Sequence, residues 1–322
     1  MLRISIIAVS LLLLALAGLG IYWSQPPAPA DIRAVTAGHG NKANVTGVAT
    51  TATLIYINQQ LLDKRGGYIS NDVMPPGILL DNIRNWEYGA LLQVRDMTRA
   101  MRDTISRSQS QSKEDTDLAL AESRFNISHR AWAFPSAEAE YRDGIRHLDN
   151  YLARLTDDDA SDAQFYARAD NLRSWLSVVE VRLGGLSQRL SASVGQRRLN
   201  TDLAGDASAR QSTPTRDDVL VKTPWLEIDD VFYQARGTSW ALTQLLQAAQ
   251  IDFADVLKNK NAEVSMAQII RELQAAQQPL ASPMVLNGKG FGLWANHSLV
   301  MASYLSRANA AIIDLRALLE KG

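Results

Sequence analysis

The sequence predicts an all-α protein in which an N-terminal transmembrane helix precedes an elongated antiparallel helical bundle. Three observations lead to this prediction. An uncharged apolar run occupies residues 4–23, apolar residues then recur at alternating steps of three and four in several long segments, and no sustained strand-like alternation occurs. Such alternating steps have a mean period of about 3.5 residues, which is typical of helices packed in bundles.

The composition of the chain limits the classes of protein and of functional site that it can form. The chain has 322 residues, of which 46% are hydrophobic and 21% are charged, so it can bury a sizeable core. Its 33 basic and 34 acidic residues give a net charge of −1, whereas nucleic-acid-binding proteins normally carry a basic excess. We therefore expect no nucleic-acid partner. The chain has no cysteine, which excludes disulfides, zinc–cysteine sites and thiol catalysis.

The N-terminal run predicts a membrane span. From Ile4 to Trp23 no residue is charged, and a helix of about 20 residues spans about 30 Å, the thickness of a bilayer's hydrocarbon core. The competing interpretation is a cleaved signal peptide, because Ala15 and Ala17 fit the small-x-small cleavage pattern. Since the apolar run continues past them, we expect residues 1–24 to form an uncleaved signal anchor.

The charges that flank the span do not decide its orientation in the membrane, since Arg3 and the terminal amine on one side are matched by Arg33 and Lys42 on the other. A very short N-terminal tail is typical of a signal anchor that exports everything after it. The predicted location is therefore a bacterial inner membrane, crossed once with the N-terminus inside and the C-terminal domain in the periplasm. Membrane contact is expected through residues 4–23.

The rest of the chain is predicted to be a tether and one helical domain. Residues 25–44 are rich in Pro, Gly and Ala and read as a tether. Residues 45–322 form the helical domain, interrupted by a polar linker at about 195–223 that either joins two helices of one bundle or separates two subdomains. Helices are expected at 46–63 and 81–106, and apolar seams at 141–155, 165–194, 225–256 and 301–319. Asp81 and Ser136 are expected as helix N-caps, and a helix is expected to end near Ala276.

No pattern of catalytic residues is visible. The four histidines show no metal-binding spacing, and no nucleophile motif such as G-x-S-x-G occurs. We predict no catalytic residue, no metal site and no cofactor. Glu87 beside Trp86 has the chemistry of a general acid with a raised pKa, but a glutamate on a helix surface beside core aromatics is the commoner case.

The segment 64–80, KRGGYISNDVMPPGILL, is predicted to be a shaped loop because of Gly66-Gly67 and Pro75-Pro76-Gly77. Such a rigid loop is a reasonable contact surface, and a loop folded over the end of the bundle is the competing interpretation. The predicted partner- or ligand-contact residues are Tyr68, Asn71, Asp72, Met74, Trp86 and Glu87.

Several segments also resemble one family. GGYISNDVMPPG, NWEYGALLQVRDM, DAQFYARADNLRSWL and PWLEIDDVFYQARGTSWAL are similar, in matching order, to an uncharacterised family of Gram-negative bacteria known as domain of unknown function 2333. The resemblance runs from about Thr46 to the end of the chain. It implies a bacterial membrane-anchored protein and carries over no catalytic residue.

The predicted function is that of a structural or adaptor component of a cell-envelope complex, with a protein partner in the envelope or self-association. The alternative is an envelope enzyme or ligand-binding protein that acts on cell-wall or lipid material. Solvent-exposed seam residues would favour self-association. A pocket of several hundred Å³ with converging polar groups and a buried carboxylate would favour the alternative.

Overall fold

A computed structural model describes residues 2–108, 113–157, 159, 162–199, 218–282, 284–289 and 292–321 of the chain. The predicted all-α class is confirmed, since most of the described residues are helical. The α-helices are α1 (Leu2–Trp23), α2 (Ile32–Ala37), α3 (Val48–Asp63), α4 (Asp81–Ala100), α5 (Thr116–Phe125), α6 (Ala137–Leu155), α7 (Ala169–Ser191), α8 (Ile228–Asp252), α9 (Ala254–Asn259), α10 (Glu263–Ala275) and α11 (His297–Glu320).

The predicted seams form the core of the bundle. On α7 every seam position from Leu172 to Leu190 is buried, and on α11 every seam position from Met301 to Leu319 is buried. The α7 hydroxyl of Ser187 lies 2.5 Å from that of Ser306 on α11, which sets the two helices antiparallel together with the Glu180–Arg316 ion pair. The chain itself therefore covers these seams, and they are not free for self-association.

Two glycines allow α4 and α8 to touch through their backbones. A Cβ atom placed on Gly237 would lie 1.8 Å from the carbonyl oxygen of Trp86, and one on Gly89 would lie 2.1 Å from that of Gln234. Only glycine fits at such separations. Next to this contact the rings of Trp86 and Trp240 pack with centroids 4.9 Å apart, so the two helices cross in close contact.

The helices define two ends of the bundle. The described parts of the connecting segments 64–80, 126–136, 192–227 and 276–296 lie at one end, which we call the anchored end because α1 joins the bundle there. The described parts of segments 38–47, 106–115, 156–168 and 253–262 lie at the far end. At the anchored end Asn71 donates a 2.8 Å hydrogen bond to the carbonyl of Ala131. At the far end the Tyr166 amide donates to the carbonyl of Ile105 over 2.8 Å.

Several predicted boundaries need correction. The helix expected at 81–106 leaves α geometry after Ala100 and ends in a π-helical turn, Met101–Ile105. The helix that carries the seam expected over 225–256 is interrupted at Phe253, between α8 and α9. Trp225 lies outside α8 with an exposed indole. The predicted cap at Ser136 is confirmed, because its hydroxyl accepts from the Ala139 amide at 3.3 Å. Asp81 is not the cap but the first residue of α4.

Both non-helical segments contain structure that the sequence pattern did not reveal. Within 25–44, α2 buries Ile32 against Ala49 and Ala248, and the Ala30 amide donates to the side chain of Gln244 at 3.2 Å. Within 195–223, β1 (Gln196–Leu199) pairs antiparallel with β2 (Asp218–Val221). The middle of the predicted linker, 200–217, lies outside the described residues.

Candidate functional site

The N-terminal helix projects from the bundle. Among the described residues, Arg3–Trp23 is the helix that is long and apolar enough to cross a membrane, and only 6% of its most apolar window is buried in the protein. A membrane anchor and a signal sequence share these properties. Leu16 is half-buried and Gly20 is buried, so one face of its last two turns contacts the bundle.

That contact is made by the loop 64–80. A Cβ atom on Gly20 would lie 3.7 Å from the Cβ atom of Pro76 and 3.5 Å from a methyl group of Leu80. The indole of Trp23 lies directly on Gly66, whose φ of +82° and lack of a side chain both suit this contact. The loop therefore connects the apolar helix to the bundle as a fixed joint.

A buried carboxylate holds the loop in shape. Glu87, on α4, is completely buried; it accepts hydrogen bonds from the amides of Ile69 at 2.9 Å and Ser70 at 2.7 Å, and from the Ser70 hydroxyl at 2.5 Å. It also forms an ion pair with the buried Lys64 ammonium. Burial raises the pKa of Glu87, while Lys64 and the hydrogen bonds oppose that rise.

The structure separates the six predicted contact residues into two groups. Tyr68, Asn71, Trp86 and Glu87 are buried, so they shape the loop from within. Asn71 donates to Glu138 at 2.7 Å, and the Tyr68 hydroxyl donates to the carbonyl of His129 at 3.2 Å. Met74 is 71% exposed and Asp72 is half-buried. The use of the loop as a partner surface stays a prediction, and its accessible members are Met74 and Asp72.

A polar cleft lies beside this loop, between α4, α7 and α8. Its volume is about 580 Å³, and four guanidinium groups line it: Arg84, Arg130, Arg182 and Arg189. Ser70, which hydrogen-bonds Glu87, is also part of its wall. We call it the arginine cleft.

The lining of the cleft carries an excess of positive charge, since its four arginines stand beside two carboxylates, those of Asp81 and Asp230. Arg182 is paired with Asp96 through contacts of 2.7 and 2.9 Å. Within the described chain, no carboxylate lies within 4.0 Å of the other three guanidinium groups, those of Arg84, Arg130 and Arg189. The Nε atom of Arg84 is buried without a hydrogen-bond partner. Arg84 also donates to the Asp72 carbonyl, and Arg189 donates to the Gln234 side chain at 2.9 Å, while the remaining N–H groups of the cleft arginines suit an anionic group.

Two titratable groups at the cleft have shifted pKa values. Burial, reinforced by the nearby carboxylates of Asp81, Asp229 and Glu227, raises the pKa of Asp230 to about 6. Burial, reinforced by the charge of Arg130, lowers the pKa of His129 to about 4. The neutral His129 ring packs on Tyr88 with centroids 4.6 Å apart.

The cleft continues into an apolar groove of about 490 Å³ along α7. Leu92, Val178, Val181 and Leu186 line the groove, and Arg182 and Arg189 belong to both spaces. Val181 is 74% exposed. The two valines interrupt the polar face of α7, which is the one signal of this site that the sequence offers. The arginines come from separate segments, and no spacing joins them.

The site combines an apolar strip with unneutralised guanidinium groups, which suits a ligand that is both apolar and anionic. Glu87 has no free lone-pair direction toward the cleft, because Lys64, Ile69 and Ser70 surround its carboxylate. In the part of the chain that the structure describes, no three His, Asp or Glu side chains are grouped as metal ligands.

One comparison with known proteins gives a match. A family model described as "Uncharacterized protein conserved in bacteria" (DUF2333) matches residues 1–322. No curated protein and no solved structure shows significant similarity to the chain.

Proposed function

The chain belongs to the DUF2333 family of bacterial proteins, and we propose that it is an adaptor in a cell-envelope complex. In this proposal α1 is an uncleaved anchor that crosses the inner membrane once, with the N-terminus inside. The bundle then lies in the periplasm and holds a protein partner in the groove and the arginine cleft. The fixed joint between α1 and the loop 64–80 supports the proposal, because a partner bound to the bundle would be held at a set position near the membrane.

The single observation that carries the proposal is that Val178 and Val181 line the groove beside Arg182 and Arg189, which also line the arginine cleft. Exposed valines beside Arg189, which has no carboxylate within 4.0 Å, and beside the Asp96-paired Arg182 match a peptide segment or helix with alternating apolar and acidic residues. Its apolar side chains would cover the valines, and its carboxylates would pair with Arg130 and Arg189. Charge-assisted pairs of this kind give an interface its register.

Photocrosslinking tests this interface in intact cells. A photoreactive amino acid replaces Val181 in the full-length protein, and the matched control replaces Val264, an equally exposed valine on α10 at the far end. We expect the probe at Val181 to capture one discrete protein through an acidic peptide, and the Val264 probe to capture none. Arg189→Glu should abolish the capture. Identical patterns at both positions would contradict the proposal.

A second candidate function follows from the arginine cleft alone. Its polar lining and its excess of guanidinium groups over carboxylates favour an anionic small ligand, either a free phosphate or the headgroup of a lipid whose chains enter the groove. The two sources separate in native mass spectrometry of the full-length protein with inorganic phosphate or a short-chain phosphatidic acid. Binding lost in Arg130→Gln but kept in Arg146→Gln, an exposed arginine paired with Asp143, would support this candidate over the adaptor.

A further inference from the structure

The two ends of the bundle expose very different side chains. In the described parts of the anchored-end segments, large apolar side chains are exposed throughout: Val73, Met74, Ile78, Leu79, Trp132, Phe134, Val194, Leu199, Val219, Leu220, Val221, Trp225, Leu226, Met284, Leu293 and Trp294. In the described parts of the far-end segments, Val45 alone is in this class. The described parts of the four anchored-end segments thus present many exposed apolar side chains at one end of the bundle, which we call the apolar end.

Aromatic residues follow the same division. Trp132, Trp225 and Trp294 have exposed indoles, and all three lie in anchored-end segments together with the fully exposed Phe134. Trp86, Trp175 and Trp240 are buried in the core. Exposed tryptophans clustered at one end of a domain are uncommon on a water-facing surface, whereas the interface of a bilayer favours them because their rings are apolar and their N–H groups are polar.

The position of α1 indicates what covers this surface. Pro76 and Leu80 lie beside Gly20, three residues before the end of α1, and a helix rises about 1.5 Å per residue. With Trp23 at the edge of the hydrocarbon core, these loop residues lie about 4.5 Å inside that edge. The neighbouring Ile78 and Leu79 point away from the bundle and are exposed. The same helix that anchors the chain therefore carries the loop to the lipid.

We infer that the apolar end docks onto the bilayer, with the loop 64–80 and its neighbours inserted among the lipid headgroups and upper acyl chains. This inference rests on the proposed membrane anchoring of α1 and adds to it that the bundle itself is a membrane-surface domain. The occupant is lipid because the apolar end is continuous with the last turn of the span. Arg65, which lies 5.1 Å from the ring centroid of Tyr22, is placed to meet lipid phosphates.

Depth-dependent fluorescence quenching tests the docking. Because the chain has no cysteine, single variants Leu79→Cys and Leu293→Cys can each carry one environment-sensitive fluorophore. They sample two separate loops of the apolar end, so the test stands even where one variant folds poorly. Val264→Cys at the far end is the matched exposed control, and Leu12→Cys marks the span. The full-length protein is placed in vesicles of phosphatidylethanolamine and phosphatidylglycerol that contain lipid with a nitroxide either high on the acyl chain, to report on positions 79 and 293, or near the end of the chain, to report on position 12.

We expect quenching at positions 79 and 293 to be several-fold stronger than at 264. Quenching at 12 with none at 79 and 293 would overturn the docking and leave the anchoring intact. No quenching at 12 would overturn the anchoring, and the docking with it. Positions 79 and 293 that are shielded from aqueous iodide yet unquenched by lipid would show a protein contact, from a second copy or a partner, and would also overturn the docking.

Discussion

Each end of the bundle is organised by one carboxylate, the fully buried Glu87 at one end and the half-buried Asp252 at the other, and the two carboxylates work differently. At the anchored end, Glu87 accepts backbone amides of the loop 64–80 and pairs with Lys64. At the far end, Asp252 accepts the amides of Gly47 and Thr50, both at 2.7 Å, and so caps the start of α3 from a distant part of the chain. Burial raises the pKa of both groups.

The difference lies in what each carboxylate supports. Asp252 closes a junction of helices whose loops hide their apolar side chains from water. Glu87 fixes a loop that buries its polar residues and exposes Met74 and Leu79. A loop with hydrogen-bonded polar residues inside and apolar side chains outside suits a contact surface, whereas the described far-end loops expose few large apolar side chains.

Loss of the Glu87 charge should have the largest effect. Glu87→Gln leaves the Lys64 ammonium buried without a counter-charge, and breaking a buried ion pair in this way costs about 3–5 kcal/mol. We expect the free energy of unfolding of the full-length protein to fall by that amount in denaturant titrations, and the loop 64–80 to become sensitive to protease. Adding Lys64→Met should recover part of the loss, and a double variant no better than the single one would contradict this role.

A change at the α4–α8 crossing should destabilise the bundle without distinguishing its ends. Gly237→Ala places a methyl group against the Trp86 carbonyl, and such overpacking costs about 1–3 kcal/mol. Thermal unfolding should shift accordingly, with protease cutting at both ends equally enhanced. Gly185→Ala is the matched control, since a Cβ there meets no atom within 4 Å and alanine favours the helix.

Asp252→Asn should weaken the far end alone. Asparagine keeps one acceptor oxygen but turns an amino group toward the Gly47 and Thr50 amides, so one strong hydrogen bond is lost at a cost of about 1–2 kcal/mol. Hydrogen exchange should speed up at the start of α3 and stay unchanged in the loop 64–80. Equal acceleration at both places would contradict the independence of the two ends.

The pH dependence should show opposing contributions from Asp230 and His129. The raised pKa of Asp230, about 6, means that the folded state holds this proton more tightly, so its contribution to stability grows as the pH falls from about 7 to 4. The lowered pKa of His129, about 4, means that its contribution is complete above pH 6.5 and is lost as the pH falls toward 4.

Separate variants resolve the two groups. Asp230→Asn should raise stability near pH 7 by about 1 kcal/mol, a value reduced for the solvent screening of this partly exposed group. His129→Gln should remove the loss of stability on acidification. Denaturant titrations between pH 4 and 7 measure both, and identical pH profiles for the two variants and the parent chain would contradict these assignments.

The sequence predicted the fold through features that are local. Steps of three and four marked the buried faces of α7 and α11, and Ser136 followed the usual rule for a helix cap. It did not predict β1 and β2, whose four residues each are too short to show a pattern and are mostly exposed. Nor did it predict α2, whose Ile32 is buried only because α3 and α8 lie beside it.

The candidate site was predicted only in part, because some of its features are local in the sequence and others depend on packing. The Gly and Pro residues indicated a shaped loop at 64–80, and the structure contains one. A glutamate in an amphipathic helix is normally predicted to be a surface residue. Glu87 is buried instead with Lys64 as its ion-pair partner, and Lys64 is 23 positions away in the chain, so the sequence does not reveal the pair. The arginine cleft brings together residues from three helices and two loops, and only the packing of these elements in the folded chain places them side by side.

A disulfide between the end of α1 and the loop 64–80 tests most directly whether the membrane helix and the bundle are in fixed contact. The Cβ separation of 3.7 Å between positions 20 and 76 lies in the range of disulfides, so Gly20→Cys with Pro76→Cys should crosslink under mild oxidation in native membranes. Gly18→Cys with Pro76→Cys is the control, because a Cβ at Gly18 meets no atom within 4 Å. After trypsin cleavage at Arg33, we expect linked fragments for the 20–76 pair and separate fragments for the 18–76 pair. Equal crosslinking of both pairs, or of neither, would contradict a fixed joint between the membrane helix and the bundle.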